Sequence, residues 1–294
     1  MMQKIWICGA NGMLGSHFKV LCEKLKISYI ATNRQQIDIT ELDAVSEFTR
    51  KQKISHIVNC AAYTNVDQAE HEPSNAYRSN AMGPHNLGIA ARRHGARVIH
   101  FSTDYVFDGK QKTPYTEEDT CSPQSAYGLS KLAGEVKLLN EHKNVCLIRS
   151  SWLFGDVGRN FVSTILGLLS EKNEIDVVSD QVGRPTYCQD LAEAALKLLD
   201  VNGIFHFANN NETSWYKYAL EIFNQAKALH FPIKTQIIRP IPSTEYLSAT
   251  QRPAYSSLDT KKFQEQFGYK APRPWPLALQ ECLTNLKNMS QKQE

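Results

Sequence analysis

The chain of 294 residues has no CxxC pair among its seven cysteines, no run of like charge longer than a few residues, no low-complexity tract and no internal repeat. Each absence narrows the field. The cysteines (Cys8, Cys22, Cys60, Cys121, Cys146, Cys188 and Cys282) are odd in number and widely spaced, which does not read as a disulfide framework or a zinc site. Cys8, Cys60 and Cys146 fall inside apolar runs, where a thiol behaves as a small buried hydrophobe, and a reducing cytoplasm is the expected setting. The 33 basic and 30 acidic residues leave a net charge of +3 with no basic stripe, so no nucleic-acid partner is expected. No carboxylate or histidine cluster has ligand spacing, so no metal is expected. The opening "MMQKIWICGANG" meets a glycine after one short apolar run, too short for a signal-peptide core. A hydrophobic fraction of 42% with 21% charged residues is that of an ordinary globular protein, and argues against disorder, fibres and membrane spans.

What is present is a rhythm. Up to residue 152, short apolar runs ("KIWIC", "SYIAT", "SHIVNC", "ARVIHFS", "NVCLIRSS") alternate with amphipathic stretches. Runs this short and this apolar suit strands buried on both faces, and the alternation predicts an α/β fold with a doubly wound parallel sheet of Rossmann type. "MLGSHFKVLCEKLK" is the first helix; "ITELDAVSEFTRKQ" is the second, with Thr40 as its N-cap candidate. Pro73 suits the first turn of a helix running toward Ala91. After Trp152 the rhythm loosens. The helices "NFVSTILGLLSEK", "CQDLAEAALKLLD" and "SWYKYALEIFNQAKAL" are separated by short strands and proline-rich segments. Residues 1–152 are therefore expected to form mainly a dinucleotide-binding domain. Residues 153–294 are expected to form mainly a smaller mixed α/β substrate lobe, with segments returning to the first domain. The polar tail "NLKNMSQKQE" is expected to fray.

The first strand feeds directly into "GANGMLG", with Gly9, Gly12 and Gly15 opening a helix. Glycines there let the backbone approach a pyrophosphate, and the free N–H groups of the helix start meet its charge. Gly9, Asn11, Gly12, Met13, Leu14 and Gly15 are the candidate contacts; a plain glycine turn is the bland alternative. The second strand ends in Asn33 and Arg34, where many such sites carry an acid for the adenosine ribose. An arginine there suits a 2′-phosphate, so NADPH is favoured and NADH remains the alternative. Asp38 and Ile39 follow on the adenine side. Ala61, Ala62, Tyr63 and Thr64 close the third strand, with side chains small enough at its start for a cofactor to pass.

The chemical end begins at "HFSTDYVFDG", where an apolar strand runs into Ser102, Thr103, Asp104 and Tyr105. Downstream, "YGLSK" sets Tyr127 and Lys131 on one helical face, and an ammonium beside a phenol lowers the phenol pKa. Alone, this pair reads better as an exposed helix pair. The order of glycine turn, strand-end hydroxyls, tyrosine and lysine is the pattern of the short-chain dehydrogenase/reductase superfamily in its extended form. Across nearly the whole chain, "GANGMLG", "DIT", "VNCAAYTNVDQAE", "STDYVFDG", "SPQSAYGLSKLAGE", "RSSWLFG", "DQVGRPT" and "QRPAYSSLDTKKF" resemble in order the dTDP-4-dehydrorhamnose reductases.

The resemblance implies reduction of the 4-keto group of dTDP-4-dehydro-L-rhamnose by a nicotinamide cofactor, in nucleotide-sugar biosynthesis for surface glycans. It implies Tyr127 as proton donor, and Lys131 as holder of the nicotinamide ribose and depressor of the phenol pKa. It implies Thr103 at the substrate carbonyl, and Asp104, Trp152 and Arg252 at the nucleotide sugar. Family members often dimerise, so a homodimer is one assembly open to the chain, although no sequence feature identifies its face; the composition gives no membrane partner. From the residues alone, Trp152 reads better as a core tryptophan, and Arg184 and Arg252 at least as well as surface arginines. The family commonly has a small residue and then Asn-Ser after "RP", where this chain has Ala254, Tyr255 and Ser256. A 4,6-dehydratase would carry a glutamate where Tyr105 stands. Other readings are a 4-epimerase and a non-catalytic NADP-binding subunit like that of methionine adenosyltransferase.

Overall fold

The computed structural model describes residues 4–268 and 270–291. Its centre is a six-stranded parallel sheet. Five strands, β1 (Ile5–Cys8), β2 (Tyr29–Thr32), β3 (His56–Asn59), β4 (Arg97–Thr103) and β5 (Val145–Ser150), come from the five apolar runs. The sixth, Gly203–His206, lies beyond residue 153 and pairs with β5, so the sheet draws on both halves of the chain. The strands lie side by side as β2, β1, β3, β4, β5 and Gly203–His206. The order reverses between β1 and β3, and a ligand crevice opens at the carboxyl ends of strands flanking such a point.

Helices cover both faces. Helix α1 (Met13–Lys24) buries Leu14, Phe18, Leu21 and Cys22 on one face of the sheet, and the later helix Cys188–Lys197 buries Leu191, Ala192 and Ala195 in the same core. On the other face, α2 (Leu42–Gln52) and the helix Gly83–His94 enclose Val45, Leu87, Ala90 and Ala91. Pro73 does open a helix, and the helical path runs on through Pro73–Tyr77, a π-helical turn at Arg78–Met82 and Gly83–His94. A π turn inserts a residue into the helical ladder and re-aims the side chains on it, here Asn80.

The N-cap expected at Thr40 is Glu41 instead. Asp38 accepts the Thr40 N–H at 2.9 Å, and this tight local turn delays the helix. The tail also departs from expectation: the last helix, Trp275–Gln291, is regular through most of "NLKNMSQKQE", and residues 292–294 lie outside the described residues. Its polar side chains have partners. Asn285 donates to Asp156 at 3.1 Å, Lys287 donates to the His230 carbonyl at 3.1 Å, and Leu286 packs on the second core.

That second core belongs to the smaller lobe. Helices Phe161–Glu171, Trp215–Ala228 and Trp275–Gln291 enclose Val162, Ile165, Tyr218, Ile222 and Leu279 around Phe154 and Tyr187. Among the described residues no helix is long and apolar enough to cross a membrane.

Candidate active site

The glycine loop is shaped by close backbone contact. Gly9 has φ +70°, and a Cβ there would sit 2.7 Å from the Ala61 backbone. A Cβ on Gly15 would collide with the Gly9 carbonyl oxygen. Side chains are therefore excluded where β1 and β3 end together, and bare backbone lines the crevice. The cavity there holds about 480 Å³ and is walled by Gly9, Asn11, Gly12, Asn33, Arg34, Asp38 and Ile39, with Ala61, Ala62 and Tyr63 opposite. Three separated sequence segments thus meet in one groove, as an extended dinucleotide requires. Four of the candidate contacts are not on that wall. Leu14 is buried in the core, Gly15 lies beneath the loop, Met13 packs toward Gly155, and Thr64 lines a second cleft.

The ribose end is set by local hydrogen bonds. Asn33 accepts the N–H groups of Gln35 and Gln36 at 3.0 and 3.1 Å, which curls the chain back and directs Arg34 outward. Arg34 is 74% exposed at its side chain and pairs with Asp38 at 3.2 Å. Partial burial pushes the Asp38 carboxyl up, but bonds from Thr40 and the Arg34 charge outweigh it and hold the carboxyl below its usual range.

At the carboxyl end of β4, Thr103 and Asp104 are 6% and 2% exposed. Thr103 donates to Asp104 Oδ1 at 3.0 Å and accepts the Tyr105 N–H at 3.2 Å. Asp104 Oδ2 has no hydrogen-bond partner. Burial raises this carboxyl to about 6, against the opposing influence of nearby Ser256 and of Thr103. Helix α6 (Ala126–Glu141) starts directly above, capped by Ser125, which accepts the Gly128 N–H at 3.1 Å. A Cβ on Gly128 would strike the Tyr105 carbonyl, so glycine lets α6 press onto the turn after β4. That approach brings Tyr127 edge-on to Tyr105, with ring centroids 5.6 Å apart and Thr103 beside its phenol.

Lys131 is 2% exposed and donates to the Phe101 carbonyl at 2.5 Å. Burial lowers it to about 8, and Glu135 pulls it only partly back. Burial pushes the Tyr127 phenol up, and Lys131 turns its Nζ to the β4 backbone.

On the substrate side, residues that motif reading singled out meet others that it did not. Trp152 has φ +48°, a strained value for a tryptophan, and its indole stacks on Trp215 at 3.5 Å with planes 8° apart. Gly183 lies so close to the Trp152 ring that a Cβ would come within 2.6 Å. A second cleft of about 510 Å³ runs from Trp215 and Phe161 to Tyr246 and Arg252. Arg252 pairs with Asp67 at 3.0 Å, Ser248 donates to the same carboxylate at 2.8 Å, and Thr250 donates to the Val66 carbonyl at 3.1 Å. Arg184 instead faces Glu212, at 3.7 Å. Asn80 accepts the Tyr63 N–H at 2.8 Å and donates to the Tyr63 carbonyl and Ser130 hydroxyl, each at 3.0 Å, so it staples the β3 loop to α6. No spacing in the sequence signals Asn80, Trp215 or Ser256; each arrives by a contact between distant segments.

The groove opens at the carboxyl ends of β1 and β3, and at the end of the neighbouring β4 Thr103 lies beside the Tyr127 phenol of α6. Comparison with known proteins finds relatives over nearly the whole chain. The RmlD substrate binding domain family matches residues 2–288. A dTDP-4-dehydrorhamnose reductase of Aggregatibacter actinomycetemcomitans is 38% identical, covering 95% of this chain and 97% of the relative. The crystal structure of a dTDP-4-dehydrorhamnose reductase from Clostridium acetobutylicum superposes with a TM-score of 0.92 at 39% identity, covering 97% of this chain and 100% of that one. The Bacillus anthracis reductase, solved in complex with NADP, has the same TM-score at 34% identity, covering 97% and 100%. In sequence and fold alike, this chain belongs to the dTDP-4-dehydrorhamnose reductase family.

Proposed function

We propose that the protein reduces the 4-keto group of dTDP-4-dehydro-L-rhamnose to dTDP-L-rhamnose with NADPH. The observation that carries this reading is the convergence of Thr103, Tyr127 and Lys131 beside a bare-backbone groove suited to a dinucleotide. Bound NADPH supplies the hydride that reaches the C4 carbon. The chain supplies the rest. Thr103 turns its single hydroxyl hydrogen from Asp104 to the C4 oxygen and orients it. Tyr127 delivers its phenolic proton to that oxygen, so hydride and proton together convert the carbonyl to an alcohol. A phenol that burial keeps protonated is in the state a proton donor needs. Lys131 holds the nicotinamide ribose, while the second cleft and Arg252 take the nucleotide diphosphate, for which a guanidinium is suited.

The purified protein, mixed with NADPH and the 4-keto sugar nucleotide, should consume both in equal amounts and yield dTDP-L-rhamnose by mass and NMR. Absence of NADPH oxidation with any 4-keto-6-deoxy sugar nucleotide would sink the reading. The preference for NADPH is assigned to Arg34, the exposed cation at the groove mouth. Arg34→Asp should raise the KM for NADPH at least tenfold and shift preference toward NADH; an unchanged ratio of kcat/KM values for the two cofactors would remove Arg34 from the 2′-phosphate.

The cytoplasm is the proposed setting, supported by seven free cysteines, five of them buried. The proposed assembly is a homodimer, supported by Leu129 and Val136, 58% and 51% exposed and two helical turns apart on α6. Sedimentation velocity measures that state directly.

A further inference from the structure

His100 lies in the middle of β4, fully buried, and the reaction as described does not use it. Its surroundings determine which ring nitrogen carries the proton. The Ala61 N–H donates to Asn59 Oδ1 at 3.1 Å, so the oxygen of that amide is engaged by the backbone. The NH2 side therefore faces His100, with Asn59 Nδ2 at 3.0 Å from Nδ1. Nδ1 must accept, and the proton of the neutral ring sits on Nε2. Burial strongly disfavours the doubly protonated ring.

Nε2 points at Lys131 Nζ across 3.5 Å. An N–H aimed at an ammonium is repulsive, whereas the same N–H aimed at a free amine is a donor facing a lone pair. The charges around Lys131 do not reverse this preference. Glu135, one turn along α6, is held by Arg149 of β5 through Nη2 at 2.7 Å and Nε at 3.1 Å. Tyr127, one turn earlier, is a neutral phenol, and the Phe101 carbonyl is the one strong acceptor at Nζ.

We propose that His100, oriented by Asn59, is a positioning residue that holds the Lys131 side chain and disfavours its ammonium form in the ligand-free protein. The lysine at the heart of the site then gives up its proton just above neutral pH, where an ordinary lysine stays a cation. Burial already lowers Lys131 to about 8 against the pull of Glu135; the His100 contact is a separate, geometric contribution. The bearing of the contact on turnover rests on the reductase reading; the protonation itself does not, because it can be measured without cofactor or sugar.

Two measurements test it on the ligand-free protein. In the wild type, long-range 1H–15N correlation spectra of histidine should give His100 as the tautomer protonated at Nε2; a proton on Nδ1 overturns the proposal without any variant. In protein carrying 13Cε-lysine, with the Lys131 signal assigned by Lys131→Arg, the titration midpoint of Lys131 should rise by at least one pH unit in His100→Asn. That variant keeps an acceptor for Asn59 but removes the donor facing the amine. His100→Gln, which returns an N–H near the Nε2 position, should bring the midpoint back toward wild type. An unchanged midpoint in a folded His100→Asn protein, or equal shifts in both variants, overturns the proposal.

Discussion

The two acids nearest the reacting carbonyl differ in what burial does to them. Tyr127 stays protonated, so Tyr127→Phe removes a proton while preserving the ring; turnover should fall roughly 10²- to 10⁴-fold in an NADPH oxidation assay, with an unchanged unfolding midpoint. Asp104 is a carboxyl that the fold holds near 6, above the ~3.9 of an unfolded aspartate. A group that binds its proton more tightly when folded stabilises fully below its unfolded pKa and loses that contribution as pH rises through its folded value. The ionised carboxylate therefore burdens the fold above pH 6, by about 2–3 kcal/mol for a shift of this size. Asp104→Asn should gain that much relative stability at pH 8 compared with pH 4 in urea unfolding. An equal effect at both values would mean that Asp104 is not a raised carboxyl. Asp104 and its strand-end hydroxyl were legible in "FSTDYVF", because adjacent residues carry the chemistry. Ser256 beside it was not, since 152 positions of chain separate the two.

Among elements, α6 does the most to assemble the site, and two glycines on other grounds equivalent show why. Gly134 on α6 lies against the Asn80 carbonyl of the π turn, where a Cβ would collide with backbone. Gly134→Ala should cost about 1–3 kcal/mol by overpacking and weaken NADPH binding, because the displaced Asn80 no longer staples Tyr63 to Ser130. Gly167, in the helix Phe161–Glu171, has open space where its Cβ would be, so Gly167→Ala should instead stabilise by about 0.4–1 kcal/mol. Urea unfolding with a fluorescence titration of NADPH reads both. The helices and strands themselves were readable from periodicity. The π turn was not, because its extra residue is set by packing against α6 and leaves the apolar pattern intact.

At the scale of the whole molecule, the lobes are joined by contacts that converge on the clefts. His17 on α1 lies 3.0 Å from Asp156, which also meets Asn285 of the final helix. The segment carrying Ser248, Thr250 and Arg252 is held to the first lobe at Val66 and Asp67. The Arg252–Asp67 pair is 27% and 44% exposed, and such pairs contribute at most about 1 kcal/mol. Arg252→Ala should therefore leave stability within about 1 kcal/mol of wild type while raising the KM for the sugar nucleotide at least tenfold, with a smaller change in kcat. A loss of kcat with unchanged KM would exclude Arg252 from substrate binding.

By itself, the sequence determined the parallel α/β architecture, the glycine loop and the order of Thr103, Tyr127 and Lys131, because each is written in residues a few positions apart and governed by local backbone physics. Tertiary structure decided what those residues can do. It turned Lys131 onto a β4 carbonyl, gave Asp104 its buried and half-satisfied carboxyl, stacked Trp152 on Trp215 and aimed His100 at the lysine. Desolvation and the direction of a hydrogen bond depend on which distant segments close over a group, and no local spacing encodes that.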